Sequence, residues 1–417
     1  MTVTKPMDVP ENGDVARPEF ASWLGVSNDI TRMFLAAGGI PGMINIAGGL
    51  PEPETYPVSE LAEIAARAVS EHPRDALNYS PIEGLPDLRD RIAKRYSTAS
   101  LHLTRQNVII TSGGMQGLDL IGKVLLDQGG LIAAQSPTYL GALDAWRPRL
   151  PRFRRIYPDR QDFDAVEALA GAQFGYTVPN FSNPTGRLIG LARRQELVDA
   201  SHRTGVWLIE DDPYGTLFYD GEPLPRMIAL SGSSLASSGS PYDGPLIYMG
   251  TLSKELAPGF RIGWVIAAPE MIQALTIAKQ GSDMCTSGLN MRIALDALDC
   301  GLPERALPRI LDTYRSRRDA LCEAMSEHLT EWFEWEKPVG GMFVWAVARD
   351  PRFDTDKLLQ EALRAGVCFT PSSVFDPEGT TRQAVRINFT LNASDKLAEG
   401  VKRLATATKA YVAENIR

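Results

Sequence analysis

The sequence predicts an α/β protein with a largely parallel sheet, and three observations carry that reading. Short β-branched or apolar runs recur, each ends in Gly, Pro, Ser, Asn or Asp, and stretches of helical periodicity separate them. Runs of four to seven residues with no polar alternation are what strands buried on both faces look like, and the helices between them imply crossovers.

In chain order the runs are "NVIITSGG" from Asn107, "LIAAQSP" from Leu131, "FGYTVPN" from Phe174, "VWLIEDDP" from Val206, "LIYMGTLSK" from Leu246 and "RIGWVIAAP" from Arg261. Beyond Cys300 the texture changes. A long helical pattern from Leu307 to Leu329 precedes strands in "GMFVWAVA", "VCFTP" and "AVRINFT", and a closing helix starts at Ala393. That order predicts a second, smaller α+β domain. The basic run "RPRLPRFRRIYPDR" (Arg147 to Arg160) reads as a solvated helix exit and a strand. "SGSSLASSGSPYDG" (Ser231 to Gly244) reads as a surface excursion too rich in Ser and Gly to pack.

With 417 residues, 44% of them hydrophobic, the chain is long enough to bury a large core in two or three domains. Its formal net charge of -8 argues against general affinity for nucleic acid or an anionic membrane. Cys285, Cys300, Cys322 and Cys368 form no CxxC pair and have no histidines at ligand spacing, so they read as free thiols and no metal site is expected. The first twenty residues lack the apolar core of a signal peptide, and no segment holds eighteen uninterrupted apolar residues. The expected location is cytoplasmic.

In sheets of this kind ligands gather at the strand ends, and the polar residues gather there too. Lys254 in "GTLSKELAPGFRIGW" stands between hydroxyl residues and Arg261. A lysine captures carbonyls only when its amine is neutral or already condensed, and burial beside other cations pushes it that way. Pyridoxal phosphate would supply the carbonyl, together with a phosphate dianion, a pyridine nitrogen, a phenolic oxygen and a flat ring, each needing a protein partner. "TSGGMQGL" joins a strand to a helix start, where the amides of Gly114 and Met115 can cradle phosphate. Thr251 and Ser253 add hydroxyls, and Arg261 adds a charged fork. Asp211 in "EDDPY" would face the pyridine nitrogen. Tyr214, together with Asn183 in "NPTG", would face the phenolic oxygen, and Tyr139 in "SPTY" would lie on the ring. Each motif alone also reads as an ordinary turn, loop start or strand-edge charge. The argument rests on their joint order at strand ends.

From about Ile44 to the C-terminus the chain resembles the class I/II aminotransferases of fold type I, which depend on pyridoxal phosphate. The marks are "LNYSPIEGLPDLR", "TSGGMQGL", "SPTY", "NFSNPTG", "IEDDPY", "GTLSKELAPGFRIGW" and "AVRINFT". The nearest branch is similar to the 2-aminoadipate and kynurenine aminotransferases and to the aminotransferase-like domains of MocR regulators. The resemblance implies a large domain with a mostly parallel seven-stranded sheet flanked by helices, plus a small α+β domain. The expected division is an N-terminal segment at 1–56, a large cofactor-binding domain at 57–299 and a small domain at 300–417.

By the same resemblance Lys254 is the Schiff-base lysine, and Asp211, Tyr214, Asn183 and Tyr139 take the roles given above. Arg386 grips the substrate α-carboxylate. Gly48 or Gly49 in "NIAGGLPEPETYP" lets backbone approach the substrate. Tyr79 reaches the phosphate of a neighbouring subunit, which implies a homodimer with shared sites acting on an amino acid and a 2-oxo acid. Three departures bear on the pocket. Thr31 stands where some members carry an arginine for acidic side chains, with Arg32 beside it. "PSSVF" (Pro371 to Phe375) replaces Pro-Gly before Phe, and the phosphate loop has Gly-Met. The chemistry expected is transamination; a β-lyase or decarboxylase outcome on the same cofactor, and a cofactor-sensing domain, are the alternatives.

Overall fold

The computed structural model describes residues 20–26, 36, 39–235 and 240–416. Thr31 and Arg32 lie outside them. Seven strands form the main sheet: β2 (Val108–Thr111), β3 (Leu131–Gln135), β4 (Arg152–Ile156), β5 (Phe174–Thr177), β6 (Trp207–Asp211), β7 (Leu246–Thr251) and β8 (Gly263–Ile266), ordered β2-β8-β7-β6-β5-β3-β4. The pairs β7–β6, β6–β5, β5–β3 and β3–β4 are parallel, whereas β8 runs antiparallel to both its neighbours. Every residue of β2, β5, β7 and β8 is buried, which is why these runs read as continuous apolar segments without alternation.

The basic strand β4 closes one edge, and its guanidinium groups are held by hydrogen bonds or ion pairs. Arg155 meets Asp376 and Glu378, and Arg154 donates to the carbonyls of Glu167, Ala168 and Ala170 at the end of the helix Ala165–Leu169. Charged residues along an edge discourage further strand pairing.

The C-terminal part holds an antiparallel sheet of β9 (Phe333–Trp335), β10 (Phe343–Ala348), β12 (Thr370–Pro371) and β13 (Ala384–Asn388), ordered β12-β13-β10-β9. It packs with the helices Leu302–His328, Thr355–Arg364 and Ser394–Asn415. Two expectations need correction. "VCFTP" is not one strand: β11 (Val367–Cys368) pairs in parallel with β1 (Ile44–Asn45), and the pairing lapses at Phe369 before β12 joins β13. The stretch from Ser231 does not begin as an unpacked excursion. The helix Met227–Leu235 runs into it and the Ser231 hydroxyl is buried against His202 and Tyr242, which offsets the weak packing capacity of the composition; residues 236–239 lie outside the described part. The long helix starts at Leu302, five residues before the periodic pattern, because Pro303 fits the first turn where its missing N–H costs nothing.

β1 and β11 form a separate two-stranded sheet, the Ile46 carbonyl accepts from the Asn388 amide of β13, and the segment 44–52 then passes over the ends of β6 and β7. Glu52 locks it there, accepting from Arg317 at 2.5 Å while its amide donates to the Tyr314 hydroxyl at 3.0 Å. No helix among the described residues is long and apolar enough to cross a membrane.

Candidate active site

A cavity of about 740 Å³ opens where β2, β5, β6 and β7 end and the segment 45–50 crosses above them. Gly49, Gly114, Met115, Tyr139, Asn183, Asp211, Tyr214, Thr251, Ser253, Lys254, Arg261 and Arg386 all line it. Tyr79 does not; it stands on the surface, 82% exposed in the single chain.

One end of the cavity is a cup of donors that suit an anion. Gly113, at φ +85°, turns the chain from β2 into the helix Gly114–Leu125, so the first amides of that helix point outward with no side chain over them. A Cβ on Gly113 would collide with the guanidinium of Arg261, which closes the cup from the opposite side. Arg261 itself sits at φ +50°, and its Nη1 donates to the Pro258 carbonyl at 3.2 Å. The Thr251 Oγ1 lies 2.9 Å from the Ser253 Oγ and 2.9 Å from the Ile262 carbonyl, which fixes the hydroxyl pair at the end of β7. Behind the cup, Ser112 donates to Asp283 at 2.8 Å, and Asp283 pairs with the buried Lys279 at 2.5 Å.

Lys254 reaches into the middle of the cavity and donates from Nζ to the Gly49 carbonyl at 2.8 Å. Burial, then the nearby guanidinium charges of Arg261 and Arg386, bring its pKa down to about 8. Gly49 has to be bare, because a Cβ there would come 2.8 Å from the Phe343 ring. Asp211 ends β6, buried, and accepts from the Tyr176 hydroxyl at 2.7 Å. Desolvation pushes its pKa up to about 7, the Tyr176 bond pulls it back, and the adjacent Asp212 adds to the rise. Tyr214 is buried edge-on to Phe343 and burial holds its phenol well above the usual range; Tyr139 is pushed up to about 12, again mainly by burial.

Arg386 closes the far end from β13. Its Nη1 donates to the Asn183 Oδ1 at 2.7 Å, and its Nη2 donates to the Ala47 carbonyl at 2.5 Å and to the Thr370 Oγ1 at 3.1 Å. The guanidinium lies over the rings of Phe343 and Phe375, 4.4 and 4.8 Å from their centres, and its buried Nε has no partner among the described residues. Such a cation, stacked and incompletely satisfied, is ready for a planar anion.

Sequence reasoning passed over Tyr176, Thr370 and Phe343, and reached Phe375 only as the end of "PSSVF", with no place beside Arg386. Tyr176 stood inside a quoted strand, yet only the pairing of β5 with β6 brings it to Asp211.

The chain matches the family model described as aminotransferase class I and II over residues 44–404. It is 36% identical to the aromatic-amino-acid aminotransferase 1 of Thermococcus litoralis over 400 residues, 93% of each chain. It is 35% identical to the 2-aminoadipate transaminase of Thermus thermophilus over 378 residues, 89% of this chain and 92% of the relative. Among solved structures, the α-aminoadipate aminotransferase of Thermus thermophilus, in complex with N-(5'-phosphopyridoxyl)-L-leucine, superposes with a TM-score of 0.85 at 34% identity. That alignment covers 95% of this chain and 98% of the other.

Proposed function

We propose, on the premise that this chain belongs to the class I and II aminotransferases and works with pyridoxal phosphate, that Lys254 is its amine centre and that its preferred amino donors carry apolar or aromatic side chains. The residues fit the cofactor. The bare amides after Gly113, the hydroxyls of Thr251 and Ser253 and the fork of Arg261 suit a phosphate. The buried Asp211 suits a ring nitrogen that must stay protonated, and Asn183 and Tyr214 suit the phenolic oxygen. When bound, the cofactor supplies an aldehyde for amine capture and a ring that accepts the electron pair of the substrate α-carbon.

The single observation that carries the reading is the position and state of Lys254. Its Nζ shares the cavity with two guanidinium groups and no carboxylate pairs with it among the described residues, so part of the population is neutral near pH 7 to 8. A neutral amine can capture a carbonyl and can take the α-proton of an amino acid; an ammonium can do neither. Arg386 would bind the α-carboxylate, with Asn183, Ala47 and Thr370 holding the fork in its plane. The small domain closes the site from above through the segment 45–50, which limits water at the reacting carbon.

The donor preference rests on charge. Among the described residues the cations lining the cavity are Lys254, Arg261 and Arg386, and each already has a task. Asp144 also lines the cavity with its carboxylate already paired to Arg147, and Leu50, Leu118 and Leu140 supply apolar surface. A second substrate carboxylate would find no uncommitted cation among these lining residues, whereas an aromatic or branched side chain gains burial. We further propose that the working unit is a homodimer whose sites are completed by Tyr79 of the neighbouring copy.

Lys254→Ala is expected to lower amino-group transfer by at least about a thousandfold while the cofactor still binds noncovalently. In the parent protein, leucine and phenylalanine should convert the cofactor spectrum to the pyridoxamine form at least about tenfold faster than aspartate. Native turnover in Lys254→Ala would remove the amine assignment. Faster conversion by acidic donors would remove the donor preference alone.

A further inference from the structure

We infer that Tyr176 is a positioning residue for the proposed cofactor partner Asp211, its hydroxyl fixing both the direction and the charge of that carboxylate. The inference rests on the reading of Asp211 given above and assigns a new task to a residue that does not line the cavity.

The geometry comes from the sheet. β5 and β6 are parallel neighbours in the register Tyr176 against Ile209, and Asp211 lies two residues further along β6, on the same face as Ile209. The Tyr176 side chain spans that offset and donates to the Asp211 Oδ2 at 2.7 Å. Its ring cannot swing away. The indole of Trp146 stands edge-on to it, with ring centres 5.1 Å apart, and is itself tied by a bond from Nε1 to the Leu118 carbonyl at 2.9 Å. The indole lies where a side chain at residue 122 would be, and Gly122 leaves that space free.

Asp211 needs such a partner because its other neighbours work against its charge. Asp212, the next residue, is also buried; it turns the other way and engages Asn180 at 2.8 Å, Tyr248 at 3.0 Å and Arg226 at 3.6 Å. That local pairing still leaves a negative charge beside Asp211. The remaining titratable groups facing Asp211 are the phenols of Tyr139 and Tyr214, and no cation pairs with it among the described residues. Tyr176 is therefore the side-chain donor that favours the ionised form, and with Oδ2 committed to it, the other oxygen is left for the cavity.

The test uses the holoenzyme with Tyr176→Phe, which removes one oxygen and keeps the ring against Trp146. Losing a donor to the charged form raises the carboxyl pKa. The acidic limb of kcat, and the pH midpoint below which affinity for pyridoxal phosphate is lost, should both move up by about one pH unit. The dissociation constant of pyridoxal phosphate should rise about tenfold. KM for the amino donor should change less than kcat. Site-specific 3-fluorotyrosine at position 176, a stronger donor of the same shape, should move both midpoints the opposite way, which a packing defect cannot do. Unmoved midpoints in both variants, with unchanged cofactor affinity, overturn the inference. Asp211→Asn separates the two levels: if it transaminates at the native rate, the role of Asp211 itself fails, and if it is impaired while Tyr176→Phe is not, only the role of Tyr176 does.

Discussion

Lys254 shows how an amine placed in a cavity beside two guanidinium groups burdens the fold that carries it. Burial and two neighbouring guanidinium groups hold its pKa at about 8, against an ordinary lysine value of 10.5. Between those two values the unfolded chain keeps a proton that the folded chain has released, so the stability of the cofactor-free protein rises with pH across that window. Below about pH 8 the cost of folding around an ammonium is fully present, on the order of 1–3 kcal/mol. Lys254→Met keeps an unbranched side chain, one atom shorter, and removes the charge. In the cofactor-free protein it should therefore raise the urea midpoint at pH 7, and the gain should shrink as the pH approaches 10. A Lys254→Met protein less stable than its parent at pH 7 would mean that the Gly49 carbonyl and residual solvent compensate the charge in full.

At the scale of elements, the sequence exposed strand ends well and lateral relations poorly. Lys254, Asp211, Asn183 and the glycines after β2 were visible because turn-forming and polar residues interrupt apolar runs, and that local contrast survives in one dimension. Tyr176 and Thr370 were not visible, since each acquires its task from a strand that is remote in sequence: Tyr176 from β6, Thr370 from β13 and the Ala47 carbonyl. The break in "VCFTP" was hidden for the same reason, because β1 lies more than three hundred residues away. The turn at Gly113 is the opposite case, legible as Gly-Gly and accounted for by one close approach. Gly113→Ala would force a side chain into a left-handed position at φ +85° and into the space of the Arg261 guanidinium. Equilibrium titration should show cofactor affinity falling by at least about tenfold as the arginine is displaced, with a lower melting temperature. Retained affinity would show that the helix amides, without Arg261, carry the phosphate.

For the whole molecule the proposed dimer turns on Tyr79, which the single chain leaves outside its cavity. Tyr79 follows the helix Pro73–Leu77, whose Asp75 carbonyl packs against Gly288. The loop before Gly288 carries the exposed Met284 and the Asp283 that accepts from Ser112 beside the anion cup. Leu77, Tyr79 and Met284 are exposed apolar side chains on these neighbouring segments, the kind of surface that the proposed second copy would bury. If the phenol of Tyr79 completes the partner's cup, Tyr79→Phe and Lys254→Ala damage different halves of each site. Each variant alone should be impaired, Tyr79→Phe by about tenfold through loss of a hydrogen bond to an anion. In co-expressed chains that assort at random, half of the dimers are hybrids, and each hybrid rebuilds one intact site from the Lys254 of one chain and the Tyr79 of the other. About a quarter of all sites, and hence of native activity, should return. Sites contained within single chains would keep one lesion each, and the mixture would stay at the mean of its two parents.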